Sequence, residues 1–161
     1  MTASKPDLYR DLARQLAALL AGEADRIANA ANMAALIFHG LPDLNWAGFY
    51  FRRGAELLLG PFQGKPACVR IPVGRGVCGT AAARAATVLI PDVHEFPGHI
   101  ACDPDSRSEL VVPLVDSGAV LGVLDLDSPR LARFDESDQE GCEGLVALFV
   151  EHHRRYPEAW R

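Results

Sequence analysis

A tight turn between two apolar segments constrains the fold of this chain more than any other feature. Asp116, Ser117 and Gly118 separate the segment from Glu109 to Val115 from the segment from Val120 to Asp127. Both segments are rich in valine and leucine and have the length of β-strands. Because the connection is so short, it predicts that the two strands are antiparallel neighbours in one sheet.

Other segments extend this sheet. The residues from Trp46 to Phe51 alternate with a period of two, and after a turn at 52–54 the segment from Glu56 to Phe62 is predicted to return as the second strand of a hairpin. Short strands are predicted from Cys68 to Ile71 and from Thr87 to Ile90. The sum is an antiparallel sheet of about six strands.

Helices are predicted mainly at the two ends of the chain. Apolar residues recur at helical spacing from Lys5 to Ala21 and from Asp25 to Phe38, and a last helix begins after Asp135 and runs to Arg155. A short helix from Val77 to Ala86 follows a glycine-rich turn. We therefore expect one α+β domain, residues 1–161, with the terminal helices on one face of the sheet and a loop and the short helix over a pocket on the other.

Composition excludes several function classes. The net charge of −5 offers no basic surface for nucleic acid or an anionic membrane. No apolar run has the roughly 18 residues that a membrane span needs, and the N-terminus lacks the order of a signal peptide. We expect a cytoplasmic protein.

Acidic side chains gather at one end of the two central strands. Asp125 and Asp127 are two residues apart, so they share one face of their strand. Glu109 opens the neighbouring strand and is expected near the same end. Solvation at the strand end explains this pattern as well as an inward-facing group does. Three converging carboxylates would suit a small ammonium-bearing ligand and could supply a proton.

Three of the four cysteines lie between Gly60 and Asp103. Cys68 could be sheet interior, and Cys78 lies at the first turn of the short helix, where the helix dipole favours a thiolate but a small side chain also packs well. Cys102 lies in the irregular segment from Pro91 to Ser108, where a core role is harder to argue. The fourth, Cys142, is predicted to fill space in the last helix.

A structural zinc site is not expected. No two cysteines form a C-x-x-C pair, and the spacing of His94 and His99 alone is a weak zinc signal. Both histidines are predicted to be solvated loop residues.

Several motifs occur in order and at spacings that resemble one family, the free methionine-(R)-sulfoxide reductases, which are enzymes of the GAF fold. They are NWAGFYF, LGPFQGKPACVRIPVGRGVCGTAA, PDVHEFPGHIACD, SELVVPL and GVLDLDSP. The resemblance covers roughly Asn45 to Phe134 and implies a GAF-like fold.

The resemblance also implies a reaction. The expected enzyme reduces the R-sulfoxide of free methionine through a cysteine sulfenic acid and an intramolecular disulfide, without a metal or an organic cofactor, and is regenerated by thioredoxin. By the same resemblance Cys102 would be the nucleophile, Cys68 the main resolving cysteine, linked to Cys102 on oxidation, and Cys78 an auxiliary thiol.

The remaining site residues follow the same resemblance. Glu109, Asp125 and Asp127 would bind substrate and supply a proton, with Glu109 also among the catalytic groups, and Trp46 and Tyr50 would be walls for the side-chain methyl group. Alternatives are a GAF module that senses a small ligand without chemistry and a thiol redox sensor. The Ala-rich, broadly apolar terminal helices further predict a homodimer.

Overall fold

The computed structural model describes residues 2–100 and 102–161. The helices are α1 (Lys5–Leu20), α2 (Arg26–Gly40), α3 (Gly76–Arg84) and α4 (Glu136–His153), with 3₁₀ turns at Val93–Glu95 and Pro157–Trp160. The strands are β1 (Trp46–Arg53), β2 (Glu56–Gly64), β3 (Arg70–Pro72), β4 (Val88–Ile90), β5 (Ser108–Asp116) and β6 (Ala119–Ser128). Within the described residues, none of the helices combines the length and apolar character that a membrane span needs.

The six strands form one antiparallel sheet in the order β3-β2-β1-β6-β5-β4. The predicted α+β architecture and the pairing of the two central strands are confirmed. At the turn between β5 and β6, Ser117 and Gly118 have φ angles of 51° and 81°. Two successive residues with positive φ are what a tight hairpin turn needs, because that twist matches the strands on either side.

One strand differs from its prediction. β3 begins at Arg70, so the prediction that Cys68 lies within a strand is wrong. Pro66 has no N–H to donate, and the β2–β3 bonding begins only where the Val69 carbonyl accepts from the Leu59 N–H at 2.9 Å. Cys68 therefore lies in the connection between β2 and β3.

The terminal helices cover one face of the sheet, as predicted. Leu12 and Leu16 of α1, Met33 of α2 and Phe149 of α4 are fully or almost fully buried against Phe49 of β1 in one apolar cluster. The rings of Phe49 and Phe149 stack with centroids 5.2 Å apart. Cys142 is also fully buried in this cluster, which confirms its prediction as a space-filling residue.

A buried carboxylate joins α1 to α4. Asp138 has no exposed surface, accepts a hydrogen bond from the Tyr9 hydroxyl at 2.8 Å, and forms ion pairs with Lys5 at 2.7 Å and Arg133 at 3.2 Å. A buried charge is tolerated only with such partners. Asp138 also completes a capping box with Asp135 at the start of α4.

The other face of the sheet packs against α3 and forms a second apolar cluster. Gly48 is where β1 shifts register against β2, and a Cβ at this position would lie 2.3 Å from the Cβ of Phe62. Only glycine allows the strands to approach so closely here. The Phe62 ring can then stack on Trp46, with centroids 5.2 Å apart, and Trp46 forms a wall of the site described next.

Candidate active site

A pocket lies between the second face of the sheet, the first turn of α3 and the segment that precedes β5. The residues with site roles predicted from the sequence line it, with the exception of Cys68. They are Trp46, Tyr50, Cys78, Cys102, Glu109, Asp125 and Asp127; Cys68 packs at the edge of the same cluster and is bonded to Cys102.

The carboxylates occupy neighbouring positions on β5 and β6. Glu109 is paired directly with Asp127 across the ladder, and Asp125 follows two residues along the same face. Only 5% of Glu109 and 6% of Asp125 is exposed. The interpretation as a solvated strand end is therefore wrong for Asp125, whereas Asp127 is half-buried and lines the pocket beside it.

Burial changes the protonation of these acids. It raises the pKa of Glu109 to about 8, with a further contribution from the charge of Asp127. It also raises the pKa of Asp125 well above its ordinary value, helped by the charge of Glu109. The pKa of Asp127 is raised in the same direction by burial and by the charges of Asp125 and Asp103. Protons are therefore retained in this cluster near neutral pH.

One oxygen of the cluster has no hydrogen-bond partner. Among the described residues, the Oδ1 atom of Asp125 is buried and accepts nothing. Since native proteins pair nearly all buried polar atoms, such an acceptor in a pocket wall indicates a place for a donor that the protein does not itself supply.

Cys68 and Cys102 are joined by a disulfide, with their Cα atoms 5.8 Å apart. This is the linkage that the resemblance implies. Both residues are half-buried, so the bond lies at the mouth of the pocket and not in the core. The sulfur of Cys102 can thus exchange with a second thiol while its side chain borders the carboxylate cluster.

Cys78 is the thiol closest to the acids. It is 4% exposed, and its Sγ lies 3.9 Å from Oε1 of Glu109. Burial raises its pKa well above the ordinary value, and the charges of Asp125 and Glu109 add to the effect. Of the two interpretations of Cys78, burial therefore favours the small packed side chain over the thiolate, because the helix dipole contributes only about 0.3 to 2 kcal/mol and burial of a charge costs more.

Three of these groups offer ligand atoms to a small cation. In the part of the chain that the structure describes, Cys78, Glu109 and Asp125 present such atoms within 4.8 Å of one another. The same arrangement of acceptors suits an organic ammonium group, whose N–H donors need oxygen acceptors in the same places.

Two aromatic residues complete the apolar wall. Trp46 donates from Nε1 to the Lys65 carbonyl at 3.1 Å, and the Tyr50 hydroxyl donates to the Cys68 carbonyl at 2.8 Å. Their rings stack with centroids 5.9 Å apart. These bonds fix the wall and also hold the backbone of Cys68, a role for Tyr50 that the sequence did not indicate.

His99 belongs to the pocket, contrary to the prediction that it is a solvated loop residue. Its side chain is 16% exposed, and Nε2 lies 3.7 Å from Oε2 of Glu109. Burial lowers its pKa, which favours the neutral ring. His94, with 69% of its side chain exposed, is solvated as predicted. The nearness of His99 to Cys102 in the chain was visible beforehand, but not the direction of its ring.

Two further pocket residues were given no site role from the sequence. Asp103 and Ser106 line the wall beside Cys102, and both receive hydrogen bonds from Asn45, the residue before β1. Asp103 ends the motif PDVHEFPGHIACD, but the motif does not signal its contact with Asn45, which spans about sixty residues of chain.

Comparison with known proteins assigns the fold to a class. The profile of the GAF domain matches residues 8–151, so the chain belongs to the GAF-domain family. A solved structure described as free methionine-R-sulfoxide reductase from Neisseria meningitidis in complex with its substrate superposes with a TM-score of 0.94 at 43% identity, covering 99% of this chain and 96% of that one.

Curated relatives narrow the class further. The free methionine-R-sulfoxide reductase of Escherichia coli is 55% identical over 144 residues, which cover 89% of this chain and 87% of the relative. The enzyme of the same name from Saccharomyces cerevisiae is 42% identical over 153 residues, 90% and 85% of the two chains. Within the GAF-domain family, the chain therefore belongs to the free methionine-R-sulfoxide reductases, a family of oxidoreductases.

Proposed function

We propose that this enzyme reduces free L-methionine-(R)-sulfoxide to methionine, with Cys102 as the nucleophile and Cys68 as the resolving thiol. The observation that carries the proposal is the position of the Cys68–Cys102 disulfide at the mouth of a pocket lined by three acids, one with a buried unpaired oxygen. Residues 1–161 act as one domain in this proposal.

The acids account for the choice of the free amino acid. Asp125 and Asp127 receive the ammonium group of the substrate, which satisfies Oδ1 of Asp125 and favours the ionised carboxylates. A methionine sulfoxide within a peptide has no such ammonium group. Trp46 and Tyr50 border the same cavity and pack against the methyl group of the side chain.

The first chemical step is a two-electron transfer. The Cys102 thiolate attacks the sulfoxide sulfur and forms a transient sulfur–sulfur bond, while Glu109 gives a proton to the sulfoxide oxygen. The resulting hydroxyl group passes to the cysteine sulfur as both the S–O bond and the transient S–S bond to the substrate break. Methionine leaves reduced and Cys102 is oxidised to sulfenic acid. A pKa of about 8 keeps Glu109 protonated at neutral pH, which supports its part as the donor.

The second step closes the disulfide. The thiolate of Cys68 attacks the sulfenic sulfur of Cys102 and displaces hydroxide, which leaves as water after taking up a proton. An external dithiol, for which thioredoxin is the proposed source, then reduces the bond and is itself oxidised. The half-buried position of both cysteines supports access by such a partner. Cys78 stays a buried thiol beside Glu109 and is assigned no more than an auxiliary part.

The test is an assay of the purified protein with dithiothreitol as reductant. Each sulfoxide epimer is supplied both as the free amino acid and within a peptide, and methionine formation is followed by chromatography. Turnover is expected with the free R form alone. Absence of turnover of that form would overturn the proposal and return the chain to the role of a ligand-sensing or redox-sensing GAF module.

A further inference from the structure

Asn45 bridges the sheet and the segment that carries Cys102. It immediately precedes β1, and its Nδ2 group donates to Oδ2 of Asp103 at 3.1 Å and to Oγ of Ser106 at 3.0 Å. The two acceptors are well shielded, since 8% of the Asp103 side chain and 5% of Ser106 is exposed. Both protons of one amide are thus used on one short segment.

The same residue is anchored beside the acids. The backbone N–H of Asn45 donates to the carbonyl of Asp127 at 3.0 Å, and the next residue, Trp46, is paired with Asp127 across the β1–β6 ladder. Asn45 therefore sets the distance between the carboxylate cluster on one side and the turn that follows Cys102 on the other.

Backbone hydrogen bonds hold Arg107, directly after this turn, to Ser128 and Val93 at 2.8 Å, but the other side-chain connections to the turn itself are weaker or temporary. The disulfide to Cys68 holds Cys102 only in the oxidised protein. Lys65 pairs with Asp105 at 3.0 Å and lies 3.9 Å from Asp103, but 64% of its side chain is exposed, and such surface pairs stabilise by less than about 1 kcal/mol. Over residues 102–106, as far as the structure describes the chain, the side-chain hydrogen bonds from the sheet and its ends come from Asn45 and Lys65.

We propose that Asn45 is a positioning residue that holds the Cys102 turn against the acid cluster once the disulfide has been reduced. The sulfenic-acid step needs the Cys102 sulfur and the proton donor on the substrate at the same time, so a small displacement of the turn is costly for the rate. The inference rests on the proposed function of Cys102 and adds the element that orients it.

The test uses a reciprocal pair of substitutions. Asn45→Asp removes the donor and sets two carboxylates against each other, whereas adding Asp103→Asn returns an N–H donor to the same contact with the polarity reversed. In single-turnover experiments with prereduced protein, Asn45→Asp should lower the maximal rate of methionine formation by about tenfold to a hundredfold, with less than about threefold change in half-saturating substrate. The double variant should recover most of that loss.

A buried asparagine elsewhere provides the matched control. Asn29 on α2 is 3% exposed and its amide contacts His153 and the Glu23 carbonyl on the helical face of the sheet. Asn29→Ala should lower the melting temperature but leave the single-turnover rate unchanged. The rate at which iodoacetamide alkylates Cys102 gives a second readout. This rate should differ from that of the wild type in Asn45→Asp and return to the wild-type value in the double variant.

Each outcome is decisive. A wild-type rate in Asn45→Asp, or a double variant as slow as the single one, would overturn the positioning role even when the wild-type enzyme is active. An equal loss of rate in Asn29→Ala would mean that lower stability explains the loss in Asn45→Asp. That result would also overturn the positioning role. Failure of the wild-type protein to form methionine would instead contradict the proposed function.

Discussion

Glu109 and Asp127 face each other across the ladder between β5 and β6, and both carboxyl groups line the pocket that Cys102 borders. Burial makes ionisation of both groups more difficult, and nearby charges add to this effect: that of Asp127 at Glu109, and those of Asp125 and Asp103 at Asp127. The pair thus stores a proton where the proposed reaction consumes one.

The proposed roles of the cysteines separate in a single turnover without reductant. Cys102→Ser should form no methionine. Cys68→Ser should form one equivalent and leave Cys102 as a sulfenic acid, which dimedone labels and mass spectrometry detects. Cys142→Ser, in the core on the other face of the sheet, should behave as the wild type. A full equivalent of methionine from Cys102→Ser would place the nucleophile elsewhere.

Activity should depend on the proton of Glu109. Its pKa of about 8 means that kcat/KM should fall as the pH rises through 8, because the donor is then ionised in the free enzyme. Glu109→Gln should lower kcat/KM by about 10² to 10⁴ and remove this alkaline decline. The exposed Glu143, whose carboxylate accepts from Thr87 on the surface, offers a control substitution. If kcat/KM of Glu109→Gln still declined above pH 8 as in the wild type, another group would be responsible for the decline.

The raised pKa of Glu109 should also lower the free energy of unfolding at alkaline pH. An acid whose pKa is higher in the folded than in the unfolded chain costs folding free energy as pH rises, because the unfolded chain loses its proton first. For Glu109 the cost should accumulate from its ordinary value of 4.5 up to about 8. Glu109→Gln should therefore be more stable than the wild type by about 2 to 4 kcal/mol at pH 8 and by much less at pH 5.

Urea unfolding of the oxidised proteins at the two pH values measures this difference. The expected sign is a gain in stability that is larger at the higher pH. A Glu109→Gln variant that is less stable than the wild type at pH 8 would show that the carboxylate is better compensated than its surroundings indicate.

The buried carboxylate between α1 and α4 should matter for folding and not for chemistry. Asp138→Asn leaves Lys5 and Arg133 without their shared buried partner, and removal of one member of such a pair costs about 3 to 5 kcal/mol. Asp135→Asn is the control, since that side chain is 58% exposed and asparagine caps a helix equally well; its loss should stay below about 1 kcal/mol. Chemical denaturation measures both, and equal losses would contradict the assignment.

We expect a homodimer that uses the terminal helices. Leu19 of α1 is 42% exposed and Ile27, at the start of α2, is 50% exposed. Such exposure of large apolar side chains on two neighbouring helices indicates a surface that a partner covers. Solution scattering should report twice the mass of one chain, and Ile27→Glu should shift the measured mass toward that of a single chain. Leu131, equally exposed at 52% but outside the helices, is the control position. A monomeric mass for the wild type would remove the proposal.

Much of this architecture follows from local patterns. The turn at Ser117 and Gly118 determines the β5–β6 pairing, and period-two alternation sends Asp125 and Leu124 to opposite faces, as the structure has them. Such features need only neighbours in the chain, which is why the sheet and the shared face of Asp125 and Asp127 were predictable from the residues.

Other features depend on contacts between distant segments. Burial raises the pKa of Cys78, whereas its position at a helix start would by itself favour the thiolate. The ring of His99 lies inside the pocket, 3.7 Å from a carboxylate oxygen of Glu109, which its place in a loop does not indicate. The contact of Asn45 with Asp103 joins two segments with no shared motif.

The sequence by itself thus determined which residues of each strand share a face of the sheet and which helices cover one face. It also determined which residues are available for thiol and acid chemistry. Only the tertiary structure decided which of those groups are buried, which atoms meet and which protons are retained. The physical reason is that desolvation and hydrogen bonding depend on everything packed around a group, whereas backbone periodicity depends on the chain alone.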